Sequence, residues 1–158
     1  GSQTADNLKR ILVINELGKI KYSTKDELEL KYRSSNLTDK LIVLKADFSC
    51  KHSSVSEIIE KKNYIKLKRE NSQPIKEKTS GSTFKNPPGE YAAVLIEKAG
   101  CKGMKNGGAS VSTIHSNFII NTGEATALDI ENLGKKIIKQ VQYKFGITLD
   151  WEIKIIGT

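Results

Sequence analysis

The sequence predicts an α+β fold in two parts, and three observations lead to it. Four short stretches, 8–15, 41–49, 117–121 and 149–157, carry apolar residues in runs or alternation, as strands do. Two long stretches, 53–71 and 126–146, and a short one, 91–100, repeat their apolar residues at helical spacing. Near Gln73-Pro74 the chain turns polar, lysine-rich and broken by proline and glycine, which sets a domain boundary around residue 76.

In the first part, "LKRILVIN" (8–15) and "IKYS" (20–23) flank "ELGK" and read as a hairpin with Gly18 at its turn. Thr24 is the expected cap of one helical turn. "LIVLKADFS" (41–49) is the clearest strand, apolar at first and alternating afterwards. Ser54 and Glu57 have capping-box spacing ahead of a helix whose Val55, Ile58, Ile59 and Lys62 share one period. In the second part a short helix ends at Gly100, a good C′ glycine. "CKGMKNGGAS" reads as a glycine-rich connection. Gly107-Gly108 lead toward strand-like residues and not into a helix, so they read as a turn and not a phosphate loop. "NFIIN" is a strand. The last helix places Leu128, Leu133, Ile137, Ile138, Val141 and Phe145 on its apolar side and stops at Gly146. "LDWEIKIIG" is expected as a closing strand, with Asp150, Glu152, Lys154 and Ile156 on one face. Two helices packed on a small antiparallel sheet would result.

Composition narrows the function. The chain has 158 residues, 37% of them hydrophobic, and no apolar run near the roughly 20 residues of a membrane span. The stretch "GSQTADNLKR" has no hydrophobic signal region. Cys50 and Cys101 lack metal or redox spacing, so no metal site is expected and a reduced, cytoplasmic setting is. The net charge of +8 fits nucleic acid, an acidic membrane surface or phosphorylated small molecules. The lysines are spread along the chain, with only "KLKRE" (66–70) dense, and no stacking motif for nucleic acid is present. A basic nucleotide- or nucleic-acid-binding module without catalysis stands as the alternative to an enzyme.

"SGSTFKNPPGEY" (80–91) fixes one hydroxyl, Ser82, in a tightly specified loop. On local chemistry alone it reads as a turn that uses the hydroxyl for its own hydrogen bonds. Four segments then carry a resemblance: "GSTFKNPPG" (81–89), "LIEKAGCKG" (95–103), "GGASVSTIHSNFIIN" (107–121) and "WEIKIIG" (151–157). Together, in this order, they resemble the C-terminal domain of the UDP-N-acetylenolpyruvoylglucosamine reductases, also called UDP-N-acetylmuramate dehydrogenases. "KYRSSNL" (31–37) and "LIVLKADF" (41–48) extend the likeness more loosely. The chain looks like the later part of the flavin-binding region (1–76) followed by a substrate-binding domain (77–158), of the shorter family subtype.

The resemblance implies an NADPH- and FAD-dependent reduction in peptidoglycan precursor synthesis. UDP-N-acetylglucosamine enolpyruvate, a small-molecule substrate, becomes UDP-N-acetylmuramate, with neither nucleic acid nor membrane as partner and the protein a monomer. NADPH reduces FAD, reduced flavin gives hydride to the enolpyruvyl CH2 carbon, and a proton must reach the neighbouring carbon. The family's glycine-rich flavin segments have no counterpart here, so FAD is not expected to be held by these residues alone. Ser82 matches the family's proton donor, Arg33 its catalytic arginine and Glu152 its catalytic glutamate. A guanidinium grips a carboxylate with two bonds; a carboxyl group near that carboxylate has to be protonated or paired with a cation. Asn86 matches a substrate-contacting asparagine and reads equally as a cap before the prolines. His115 reads as a ligand contact or as packing, and Tyr32 as a stacking ring or as core. Ser72 stands where many members carry a basic residue, leaving Lys76 or Lys78 to meet the diphosphate.

Overall fold

The computed structural model describes residues 2–157. The α+β expectation holds, and the chain divides into two compact units, Gly1–Glu57 and Ile58–Thr158.

The first unit opens with a single helical turn, α1 (Thr4–Asn7), which the sequence reading did not anticipate. β1 (Leu8–Asn15), β2 (Ile20–Thr24) and β3 (Leu41–Phe48) form an antiparallel sheet in the order β2-β1-β3. Gly18, at φ +72°, makes the β1–β2 turn, as its position predicts. Ile11 and Val13 of β1 are buried with Leu8 and with Leu28 from a short 3-10 turn, Asp26–Leu28. That turn is the expected helical one, but Thr24 does not cap it. Thr24 is the last residue of β2, and its N–H donates to the Glu27 carboxylate at 2.9 Å. The opposite face of the sheet is open: Ile20, Tyr22 and Ile42 are exposed.

The helix α2 (Val55–Ser72) starts where its capping box predicts. The Ser54 N–H donates to Glu57 Oε2 at 3.0 Å and the Glu57 N–H to Ser54 Oγ at 3.3 Å. Its apolar period buries nothing: every residue of the helix, including Ile58, Ile59 and Leu67, is exposed.

The second unit holds the larger core. α3 (Ala92–Lys98) and α4 (Ala127–Phe145) pack with a three-stranded antiparallel sheet, β4 (Lys105–Asn106), β5 (Ala109–Val111) and β6 (Ile119–Asn121). The segment expected as a mere connection thus contains two strands, joined by Gly107-Gly108. A side chain at Gly108 would run into the Ala125 backbone, so this hairpin needs glycine for close approach. α4 is capped reciprocally by Thr126 and Asp129, bonds that hold the Asp129 carboxyl below its usual range. It ends at Gly146 with φ +70°. Leu133, Ile137 and Val141 recur every fourth residue and face Leu95, Ile96, Val111 and Leu149.

The closing strand does not form. Only Trp151 makes a bridge, to Phe84, and the chain then bends and runs on without strand structure. An alternating pattern needs a partner ladder, and the partner stretch 83–85 runs into Asn86-Pro87-Pro88, where prolines carry no N–H.

Trp151 packs on Phe84 at 5.0 Å between ring centroids, and the outer edge of its ring meets helix α4 at Gly134, which leaves the space. Gly134→Ala should therefore destabilise the second unit by about 1–3 kcal/mol despite alanine's better helix propensity, measured by denaturant unfolding with Trp151 fluorescence. A stabilised variant would show that the ring does not depend on this gap.

Candidate active site

The segment carrying Ser82 is held on both sides. On one side Ser82 bridges Phe118, and the Thr83 N–H donates to the Asn117 carbonyl at 2.8 Å. On the other side the Lys85 N–H donates to the Asp150 carbonyl at 2.8 Å and the Glu152 N–H to the Thr83 carbonyl at 2.9 Å. Residues 82–85 thus form the middle of a short three-segment ribbon. Ser82 and Glu152, 70 positions apart in sequence, are brought to neighbouring positions by backbone bonds. Gly81, at φ +93°, turns the chain just before Ser82. Ser82 and Glu152 are both partly buried, between core and solvent.

One residue that the sequence reading passed over holds this ribbon together. Asn117 is 4% exposed. Its Oδ1 accepts from the Phe84 N–H at 3.0 Å and its Nδ2 donates to the Phe84 carbonyl at 2.8 Å. A side-chain amide replaces a strand here and satisfies both backbone groups of a buried residue. The signal was an amide inside the apolar run "NFII", where a polar side chain has to find partners or stay out of the core.

The remaining predicted residues of this unit have defined surroundings. Asn86 Oδ1 accepts at 3.0 Å from the N–H of Ala92, the first residue of α3, whose N-cap position is Tyr91. His115 is half-buried and lies edge-on to Phe118, with ring centroids 4.7 Å apart. Its Nδ1 accepts from the Asn117 N–H at 3.3 Å, which leaves the proton of the neutral ring on Nε2. Burial pushes its pKa below the ordinary imidazole value.

Arg33 and Tyr32 belong to the first unit. They are the two central residues of a turn closed by the Lys31 N–H to the Ser34 carbonyl at 2.9 Å and the Ser34 N–H to the Lys31 carbonyl at 3.2 Å. Arg33 has φ +55°, a conformation that costs a non-glycine residue roughly 1 kcal/mol. Its guanidinium lies 5.8 Å from the centroid of the Tyr32 ring. Tyr32 is 59% exposed and is not core. Both side chains line a hollow of about 530 Å³ with residues 2–5, Leu30 and Lys31.

Asn117→Ala would leave the Phe84 N–H and carbonyl buried and unpaired. It should destabilise the second unit by about 2–5 kcal/mol in urea unfolding. Asn117→Asp, which restores only the acceptor, should fall between wild type and alanine. Equal stability of all three would remove Asn117 from this role.

A family profile described as the C-terminal domain of UDP-N-acetylenolpyruvoylglucosamine reductase matches residues 73–156. The chain is 43% identical over 157 residues to the UDP-N-acetylenolpyruvoylglucosamine reductase of Parvibaculum lavamentivorans, covering 99% of this chain and 51% of that protein. It is 45% identical over 157 residues to that of Rickettsia conorii, covering 99% and 53%. The crystal structure of the reductase from Thermus caldophilus superposes with a TM-score of 0.81 at 34% identity, over 95% of this chain and 53% of that one. The chain spans about half the length of the curated relatives it matches. With its sequence and its fold in agreement, the chain belongs to the UDP-N-acetylenolpyruvoylglucosamine reductase family.

Proposed function

We propose that this chain supplies the substrate side of a cytoplasmic, monomeric oxidoreductase of peptidoglycan precursor synthesis. The net reaction is reduction of UDP-N-acetylglucosamine enolpyruvate to UDP-N-acetylmuramate at the expense of NADPH, with FAD as carrier. Residues 77–158 bind substrate, and residues 1–76 belong to the flavin region. The family match beginning at residue 73 supports that division.

The observation that carries the reading is the backbone pairing of Thr83 with Glu152, which puts Ser82 one residue from that rung in a protein of this family. Ser82 delivers the proton to the carbon that bears the carboxylate. A hydroxyl is a weak acid, so it has to be held in place and its developing negative charge met by donors or cations. The ribbon supplies the fixed position. Glu152, partly buried at the next rung, is the second acid or hydrogen-bonding partner. Arg33 grips the substrate carboxylate. An arginine at positive φ, where glycine would be unstrained, is the kind of backbone exception that a functional side chain sustains. Asn86 and His115 contact the nucleotide sugar, Tyr32 stacks beside it, and Lys76 or Lys78 meets the diphosphate.

The residues of this chain do not by themselves fit a flavin dinucleotide. Such a group needs a cleft with backbone N–H groups turned toward its diphosphate. The glycine pair at 107–108 joins two strands with the Asp129 carboxylate against Gly107, where a phosphate would be repelled, and the hollow beside Arg33 is about 530 Å³, the size for a drug-like ligand. What this half contributes is substrate grip and proton delivery. Among the described residues no helix is long and apolar enough to cross a membrane. The alternative, a basic nucleic-acid module, is not favoured: a family of small-molecule reductases accounts for the chain, and charge alone is weak evidence.

Two substitutions test the reading in an enzyme completed by the family's amino-terminal half. Ser82→Ala should leave flavin reduction by NADPH intact and slow substrate reduction by roughly 10²–10⁴-fold in single-turnover measurements. Product formed at the normal rate would remove Ser82 from proton transfer. Arg33→Gly should keep or raise the stability of the first unit, by up to about 1 kcal/mol, while substrate turnover collapses. Unchanged turnover would make Arg33 a turn residue only.

A further inference from the structure

Among the described residues of the second unit, Lys85 is the one lysine that is not exposed. It stands on the ribbon that carries Ser82. Its N–H donates to the Asp150 carbonyl at 2.8 Å, and the Glu152 N–H donates to the Thr83 carbonyl at 2.9 Å. Those two bonds make Phe84 and Trp151 a facing pair, so Lys85 stands opposite Asp150 and Thr83 opposite Glu152. Side chains alternate along an extended segment. Phe84 and Trp151, ring against ring, take one face, and Lys85, Asp150 and Glu152 take the other. The backbone around Lys85 is fixed: Phe84 before it is clamped by Asn117, and Asn86-Pro87-Pro88 follow it. Other lysines of this unit have partners, Lys102 with Glu97 at 2.9 Å and Lys136 with Asn106 at 2.6 Å. Among the described residues the Lys85 ammonium has no hydrogen bond or ion pair, although Asp150 is directly across the ribbon and Glu152 diagonal to it.

A charge drawn partly out of water costs free energy unless an opposite charge meets it. This face of the ribbon also carries two carboxylates, so an anionic ligand can rest there only against a cation, and Lys85 is the cation the ribbon supplies. Lys76 and Lys78 are exposed and precede the turn at Gly81. An ammonium meets phosphate as a point charge, whereas a carboxylate is better gripped by a guanidinium fork. We propose that Lys85 is a further substrate-binding residue, the ammonium that meets the diphosphate of the nucleotide sugar on the Glu152 face of the ribbon. The inference rests on the reading of residues 77–158 as the substrate domain and not on proton delivery by Ser82.

Calorimetric titration of this chain with UDP, UDP-N-acetylglucosamine and uridine tests the assignment, with Trp151 fluorescence as a second readout. The wild-type chain should bind the two diphosphates at least about 10-fold more tightly than uridine. Lys85→Met keeps the apolar stem and removes the charge. It should keep the fold by circular dichroism, weaken both diphosphates about 10-fold and leave uridine within about twofold. Lys85→Arg, which restores the charge, should recover most of the loss. Three results would overturn the proposal: a wild-type chain that binds UDP no better than uridine, a Lys85→Met chain that binds UDP like wild type, or one that loses uridine as much as UDP. In the enzyme completed by the family's amino-terminal half, Lys85→Met should raise KM for the nucleotide substrate about 10-fold and leave kcat within about threefold. Ser82→Ala acts on the rate instead. A normal rate in Ser82→Ala beside a raised KM in Lys85→Met would sink the proton-donor assignment and leave this one standing.

Discussion

Asn117 is the contact on which the rest of the second unit depends. Its amide closes two hydrogen bonds on the backbone of Phe84, deep in the core, where unpaired groups would each cost about 1–3 kcal/mol. Through Phe84 it fixes Trp151, which stacks on the Phe84 ring and presses on Gly134 of α4. Through the same backbone it fixes residues 82–85, and therefore the position of Ser82. One amide thus ties the loop, the carboxyl-terminal segment and the long helix together. It does so without a regular strand, which keeps Ser82 at the rim of the core and not inside a sheet.

The loop from Gly81 to Tyr91 is secured at both ends. At its start Gly81 takes a positive φ and Ser82 joins Phe118; at its end Asn86 accepts from the Ala92 N–H ahead of α3. Pro87 and Pro88 remove two donors and stiffen what lies between. The loop therefore holds the Ser82 backbone in one place. Arg33 is handled differently. Its turn holds an arginine at positive φ, where glycine would be relaxed.

The surface of the first unit has a different logic. Its small core, Leu8, Ile11, Val13 and Leu28, occupies one face of the sheet. The other face carries exposed isoleucines, and α2 buries none of its apolar residues. Apolar groups left in water forgo about 25 cal/mol for each Å² they could have buried.

What the sequence determined by itself was local and periodic. Leu133, Ile137 and Val141 announced the buried face of α4, Ser54 and Glu57 the start of α2, and Gly18 and Gly146 the turn and the helix stop, because each depends on residues within a few positions. The four motif segments announced the family. The tertiary structure decided what depends on distant partners. The stretch from Leu149 to Ile155 alternates and is no strand, because its neighbour ends at Asn86-Pro87-Pro88. Lys105–Val111 looked like a loop and forms two strands, because β6 offers a ladder and Ala125 closes over Gly108. α2 starts at its capping box, yet none of its residues is buried. Asn117 stayed hidden for the same reason: an amide's importance lies in the backbone it meets, and Phe84 is 33 residues away.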